Sequence, residues 1–342
     1  MPVFKHSADL VVRNIRASLN LEAGVTRVGG AQQTPQTAGN GQAKAAPGSA
    51  AGANGTGAKP GAVEAENVVW IFGSGRSGST WLTSMMGDMS GQVLWGEPWV
   101  GTLFGNFYYA QNEGLRNNPQ FIMGRHRQSW LRSVRNFVLD AAAVTFPNLK
   151  PSEYLIIKEP NGSVGAPLMM EATPESRMVL LVRDPRDVVA SALDGRREGG
   201  WHHEKHKARL VEQGKEAPEK DSVAFARSRA TNYLQGMGNA KKAYDAHEGP
   251  KVLIRYEDLR TDTLGTMERL YSTLGVPVDE KELARVVHKH SWENIPKEKR
   301  GEGKFYRKAT PGGWREDLTE EQAEAVESVT GPLLQELYPE KV

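Results

Sequence analysis

The run Val68-Val69-Trp70-Ile71-Phe72-Gly73-Ser74-Gly75-Arg76-Ser77-Gly78-Ser79-Thr80-Trp81 carries the chain's clearest chemistry. An apolar, β-prone run enters a loop of glycine, serine and arginine, and helix-forming residues follow. Strand, glycine-rich loop and helix together make a phosphate cradle: the backbone N–H groups turn inward and the helix N-terminus adds partial positive charge. Ser79 and Thr80 bring hydroxyl donors. Set against the triphosphate loop G-x-x-x-x-G-K-[ST], Gly73, Gly78 and Thr80 fit, but Ser79 holds the lysine position. That lysine reaches the β and γ phosphates, so its replacement argues against ATP or GTP hydrolysis. The loop's cation is Arg76, at its tip, where a group one bond beyond a single phosphate would lie.

A second strand-to-helix turn lies downstream. Met178-Val179-Leu180-Leu181-Val182 is a short apolar run of the buried parallel type. Arg183-Asp184-Pro185-Arg186-Asp187 follows; Asp184 suits a helix N-cap and Pro185 the first helical position. A guanidinium at such a strand end matches a phosphate bidentately.

With these two motifs the chain resembles the sulfotransferases that use 3′-phosphoadenosine 5′-phosphosulfate (PAPS) and release adenosine 3′,5′-bisphosphate (PAP). Their loop is similar to Arg76-Ser77-Gly78-Ser79-Thr80-Trp81. The resemblance implies that Arg76, Ser77, Gly78, Ser79 and Thr80 grip the 5′-phosphosulfate, with Trp81 near the adenine. It assigns Arg183 and Ser191, eight residues on, to the 3′-phosphate. Arg255-Tyr256-Glu257-Asp258-Leu259 matches a further family run, read as architectural. Arg307-Lys308 matches the start of the family's R-K-G segment and implies two more 3′-phosphate cations. Ala309 stands in place of its glycine, and Gly313 in place of the acidic residue before Trp314.

The acceptor hydroxyl needs a base. Phenol- and steroid-directed members use a histidine in K-T-H; the corresponding residues here are Lys158-Glu159-Pro160, so that histidine is missing. Heparan-type members use a glutamate in E-P-x soon after the first helix, and Glu97-Pro98-Trp99 occupies that place. The resemblance therefore makes Glu97 the base, with Glu159 in reserve and Lys158 near the transferring sulfate. Trp95, Pro98 and Trp99 around Glu97 would desolvate it and raise its pKa. Arg76 is the candidate for neutralising charge on the leaving phosphate. His202, His203 and His206 with Glu204 lie in a run of alternating charge without the H-E-x-x-H arrangement, and are read as a solvated face or lid; no metal is expected.

These groups need a scaffold. Strands are expected at 68–72, 154–157, 178–182 and 251–255, and helices at 79–90, 127–142, 185–194, 221–246, 261–274, 279–290 and 319–337. The alternation predicts an α/β fold, a central parallel sheet with helices on both faces. Ligands then bind beyond the C-terminal strand ends, where both phosphate motifs lie. In 127–142, Trp130, Val134, Phe137, Val138 and Ala141 form an expected core stripe. Residues 1–66 read as an N-terminal extension, largely disordered, since 31–62 hold almost no bulky apolar side chains. Residues 67–342 read as the enzyme domain.

The formal charge of +2 is too near neutral for bulk nucleic-acid binding. No run approaches the ~18 apolar residues of a membrane-spanning helix. The absence of cysteine excludes disulfides and thiolate chemistry and suits a cytoplasmic protein. The acceptor is expected to be a carbohydrate or another small molecule. The competing readings are a small-molecule kinase, which Ser79 and Arg76 count against, and a nucleotide-binding module without turnover.

Overall fold

In the computed structural model, residues 63–110, 120, 126–196, 200, 222–304 and 306–339 are described, with the side chains of 106–110 excepted. The expected extension therefore lies, up to residue 62, outside the described residues. Five parallel strands form one sheet in the order β2-β3-β1-β4-β5. They are β1 (Val68–Gly73), β2 (Gln92–Gly96), β3 (Tyr154–Lys158), β4 (Arg177–Val182) and β5 (Lys251–Arg255). The expected α/β architecture is thus observed, with one added edge strand.

Alternation along the strands builds two cores. Trp70, Phe72, Leu155, Ile157, Leu180 and Val182 face one layer. That layer contains α3 (Arg127–Thr145), α4 (Ala166–Ala172), α6 (Val223–Ala246) and α10 (Glu320–Leu337). Val69, Ile71, Ile156, Val179 and Ile254 face the other. There lie α1 (Ser79–Gly87), α8 (Thr263–Leu274) and α9 (Glu280–Lys289). Both faces are buried, so the central strands are apolar throughout rather than alternating.

Several expectations need correction. Strand β2 was not foreseen, nor were α2 (Val100–Ala110) and α4. The helix expected at 261–274 is α8, whose start is capped by the Asp262 side chain accepting from the Gly265 N–H; the short helix α7 (Tyr256–Thr261) before it was not expected. The stripe on α3 is rotated: Leu131, Val134, Val138 and Ala142 are buried, whereas Phe137 is 49 % exposed. Helix α5 (Pro185–Asp194) begins as expected, with Asp184 accepting from the Arg186 N–H and Pro185 in the first turn. No helix among the described residues is long and apolar enough to cross a membrane.

Candidate active site

Strands β1 and β4 are adjacent, with Gly73 in register with Leu181, so the two loops leave the sheet side by side. Arg76, Gly78, Ser79, Thr80, Trp81 and Glu97 line one cavity of about 450 Å³ together with Arg183, Ser191, Arg307 and Lys308. The sites expected from separate motifs are therefore brought to one place.

The loop is shaped by its backbone. Gly78 has φ of 90°, and a Cβ there would fall 2.5 Å from the Tyr256 ring. Glycine is thus required twice, for conformation and for close packing. Arg76 also takes a left-handed φ, 75°. Ser77 differs from expectation: it is fully buried and is absent from the cavity lining. Its Oγ lies near Gly73, so the side chain sits beneath the loop. Trp81 lines the cavity and is held by its Nε1–H donating to the His290 carbonyl at 2.8 Å.

Arg76 ties the two motifs together. Its Nε donates to Ser191 Oγ at 3.0 Å, and Arg183 Nη1 donates to the Arg76 carbonyl at 2.9 Å. The Arg183 guanidinium lies 4.3 Å from the centre of the Tyr256 ring. The Tyr233 hydroxyl donates to the Arg183 carbonyl at 2.8 Å and fixes the end of β4. Burial, then the charges of Arg183 and Arg307, push the Arg76 pKa down to about 10. The guanidinium remains charged at neutral pH, in a field that favours an anion.

The C-terminal cations are pre-positioned by Asp317. It accepts from Arg307 Nη1 at 2.6 Å and from Lys308 Nζ at 2.9 Å. Ala309, which stands where the family pattern has glycine, adopts φ of 53°, so the backbone keeps the left-handed geometry without the residue that favours it. Its carbonyl accepts from Arg260 Nε at 3.0 Å. Asp187 accepts from the Gly312 and Trp314 N–H groups at 2.7 and 2.9 Å, pinning this segment to α5. The architectural reading of Glu257 holds: it accepts from the Asp184 N–H and from the Tyr338 hydroxyl.

Three residues form the other end. Lys158 Nζ is 2.8 Å from Glu97 Oε1 and 3.0 Å from Thr80 Oγ1. Asn161 Nδ2 donates to Glu97 Oε2 at 2.9 Å. Lys158 is not itself a lining residue and reaches the site through Thr80 and Glu97. Glu97 and Trp99 both have left-handed φ, 52° and 64°, a concentration of strain typical of functional turns. The expected desolvation of Glu97 by its neighbours is corrected. Trp99 is 54 % exposed, and Trp95 packs on Phe146.

The desolvated carboxylate is Glu159. It accepts from the Val100 N–H at 3.0 Å, and from Trp99 and Gly101, at the start of α2. A Cβ on Gly162 would meet its Oε2 at 1.9 Å, so only glycine leaves room for this capping carboxylate. Burial pushes its pKa up to about 7, against the ordinary 4.5. Glu159 therefore holds the turn that carries Glu97.

This raised value fixes a sign. The folded protein binds the proton more tightly than the unfolded chain, so this group's stabilisation is complete below about pH 4.5 and is lost as pH rises to about 7. Glu159→Gln is expected to gain stability relative to the parent across that window. Urea unfolding of both proteins from pH 4.5 to 7.5 measures it; parallel curves would contradict the assignment.

His202, His203, Glu204 and His206 lie outside the described residues. Among the described residues no group of three potential metal ligands is present. Two contributors escaped sequence reasoning. Asn161 gave only the signal of a polar residue shortly after a strand end. The Tyr256 ring supports both Gly78 and Arg183, and its family run signalled architecture alone.

A family model described as "Sulfotransferase domain" matches residues 66–338. No curated protein matches the chain in sequence. Among solved structures, mouse sulfotransferase SULT7A1 complexed with PAP is similar at 13 % identity and a TM-score of 0.48, over 79 % of this chain and 85 % of that one. Sulfotransferase STF9 from Mycobacterium avium is similar at 14 % identity and a TM-score of 0.49, over 80 % and 77 %. The sulfotransferase domain from the curacin biosynthetic pathway is similar at 16 % identity and a TM-score of 0.43, over 78 % and 97 %.

Proposed function

The chain belongs to the sulfotransferase family, and from that premise we propose that it moves a sulfuryl group from PAPS to a hydroxyl or amine of a small-molecule or glycan acceptor. The observation that carries this reading is the Glu97–Lys158–Thr80 chain. It links a carboxylate to the phosphate-type loop at 2.8 and 3.0 Å, at a cavity whose lining also includes Arg76, Arg183 and Arg307.

The residues present fit the donor. Arg183 Nε is buried without a hydrogen-bond partner among the described residues, in a wall that also holds Ser191 and Arg307. These three, with Lys308, take the 3′-phosphate; Gly78, Ser79 and Thr80 at the start of α1 take the 5′ end, with Trp81 beside the base. PAPS, when bound, supplies the sulfuryl group and the leaving phosphate. Glu97 accepts the acceptor's proton, and Lys158 and Asn161 each hold one of its oxygens in place. Arg76 and Lys158 offset negative charge at the departing phosphate. Residues 1–66 are an extension outside this chemistry, and the cysteine-free composition supports a cytoplasmic setting.

PAP is expected to raise the melting temperature more than AMP or ATP does, because only PAP presents a 3′-phosphate to Arg183, Ser191 and Arg307. At a hundredfold excess over its dissociation constant the gain is about 2.7 kcal/mol. Equal shifts with AMP would remove the 3′-phosphate assignment.

A further inference from the structure

The carboxylates of α5 and its cap are all committed. Asp184 accepts from Arg186, Asp187 from the Gly312 and Trp314 N–H groups, and Asp194 from the Gly303 N–H. None of them accepts from Arg183 or Arg229. Both of these arginines line the cavity, and the Nε of each is buried without a hydrogen-bond partner among the described residues. Arg183 directs Nη1 to the Arg76 carbonyl. No described residue accepts a hydrogen bond from the Arg229 side chain or pairs with its charge.

Packing sets Arg229 in the same wall as Ser191. Val189 and Leu193 of α5 share one buried cluster with Phe225, Ala226 and Ala230 of α6. The Arg196 guanidinium, just past α5, lies 4.6 Å from the centre of the Phe225 ring. Tyr233 donates to the Arg183 carbonyl beyond the end of β4, and His247, at the other end of α6, meets the Ser176 carbonyl just before β4 begins. Helix α6 therefore runs antiparallel to β4. Arg229 precedes Tyr233 by one turn, so it sits about 6 Å further out, past the strand ends, and its side chain leans the same way. Ser191, Ala192, Gly195 and Arg196 line the same cavity.

Burial depresses the Arg229 pKa, and no carboxylate offsets the effect. A desolvated guanidinium without a partner is costly, and a fold retains it where a ligand completes the pair. Charge selects the ligand atoms. Adenine and ribose are neutral, whereas the 3′-phosphate is the anion expected at Arg183 and Ser191. We infer that Arg229 binds the donor's 3′-phosphate alongside Arg183, as a donor-recognition residue that belongs to none of the recognised motifs. The planar fork of arginine takes two phosphate oxygens at once. The inference rests on the sulfotransferase reading.

The test measures PAP and AMP affinity calorimetrically on the full chain, for the parent and for Arg229→Met, Arg229→Gln and Arg229→Lys. Of the two nucleotides, PAP alone carries the 3′-phosphate. Loss of a charge-assisted bond should weaken PAP binding at least about tenfold in Arg229→Met and Arg229→Gln, with AMP affinity kept within about twofold of the parent's. Arg229→Lys should recover part of the loss, because it returns the charge without the fork. Without ligand, both uncharged variants should melt no lower than the parent, since an unpaired desolvated charge has been removed. A merely structural arginine would instead lower the melting temperature and weaken both nucleotides alike. The inference is overturned by PAP affinity unchanged in the variants, by equal losses for PAP and AMP, or by a lower melting temperature of both uncharged variants without ligand. Failure of the parent to bind PAP would remove the sulfotransferase reading, and the inference with it.

Discussion

Glu97→Gln is expected to bind PAP as the parent does and to transfer sulfate roughly 10²–10⁴ times more slowly. The amide keeps the shape and can still meet Lys158 and Asn161, but it cannot accept the acceptor's proton. Single-turnover measurement with pre-bound PAPS isolates this step from product release. His202→Ala and His203→Ala should leave the chemical step nearly intact. A Glu97→Gln rate equal to the parent's, with a dead histidine variant, would move the base to the 202–206 cluster.

Arg76→Ala is expected to lower turnover by about two to three orders of magnitude, the usual loss for one transition-state electrostatic partner. The geometry adds a second effect. Arg76 Nε holds Ser191 at 3.0 Å, so the variant should also weaken PAP binding. Folding should survive, because Arg76 stands against Arg183 and Arg307 and its removal relieves their repulsion. Arg76→Lys should recover charge but not the forked contact, and so restore turnover only in part. Parental turnover in Arg76→Ala would leave Lys158 as the group that offsets the leaving charge.

The two phosphate motifs were readable because each is local: an apolar strand, a turn with its own capping chemistry, and a helix, all within fifteen residues. Residues such as Asp184 and Pro185 announce the start of α5 by themselves. Strand β2 was hidden because it is a five-residue edge strand whose inner residues are only partly buried. Helix α2 was hidden by Gly101 and Gly105, which weaken helix propensity yet let it approach the backbone of the 162–165 segment closely. Because Glu97 directly follows β2, the base could be named only by resemblance, and the burial expected around it lies elsewhere. Trp95, Pro98 and Trp99 suggested desolvation of Glu97, but the parallel pairing of Gly96 with Lys158 delivers an ammonium beside it instead. The burial falls on Glu159, the residue that follows β3. Asn161 has only the faint signal of a polar residue after a strand end, since its role depends on Glu97, 64 residues away, folding alongside it.

The central claim is tested most directly by following sulfate. The purified protein is incubated with PAPS labelled in its sulfuryl group and a panel of glycans, phenols and amines, half of them bearing a carboxylate, sulfate or phosphate. In parallel it is given ATP labelled in its γ-phosphate with magnesium. The account predicts that label leaves PAPS for an acceptor's oxygen or nitrogen with formation of PAP, that no phosphate moves from ATP, and that the Glu97→Gln protein transfers sulfate far more slowly than the parent. Transfer of the ATP label to any member of the panel, with PAPS left intact, would contradict it.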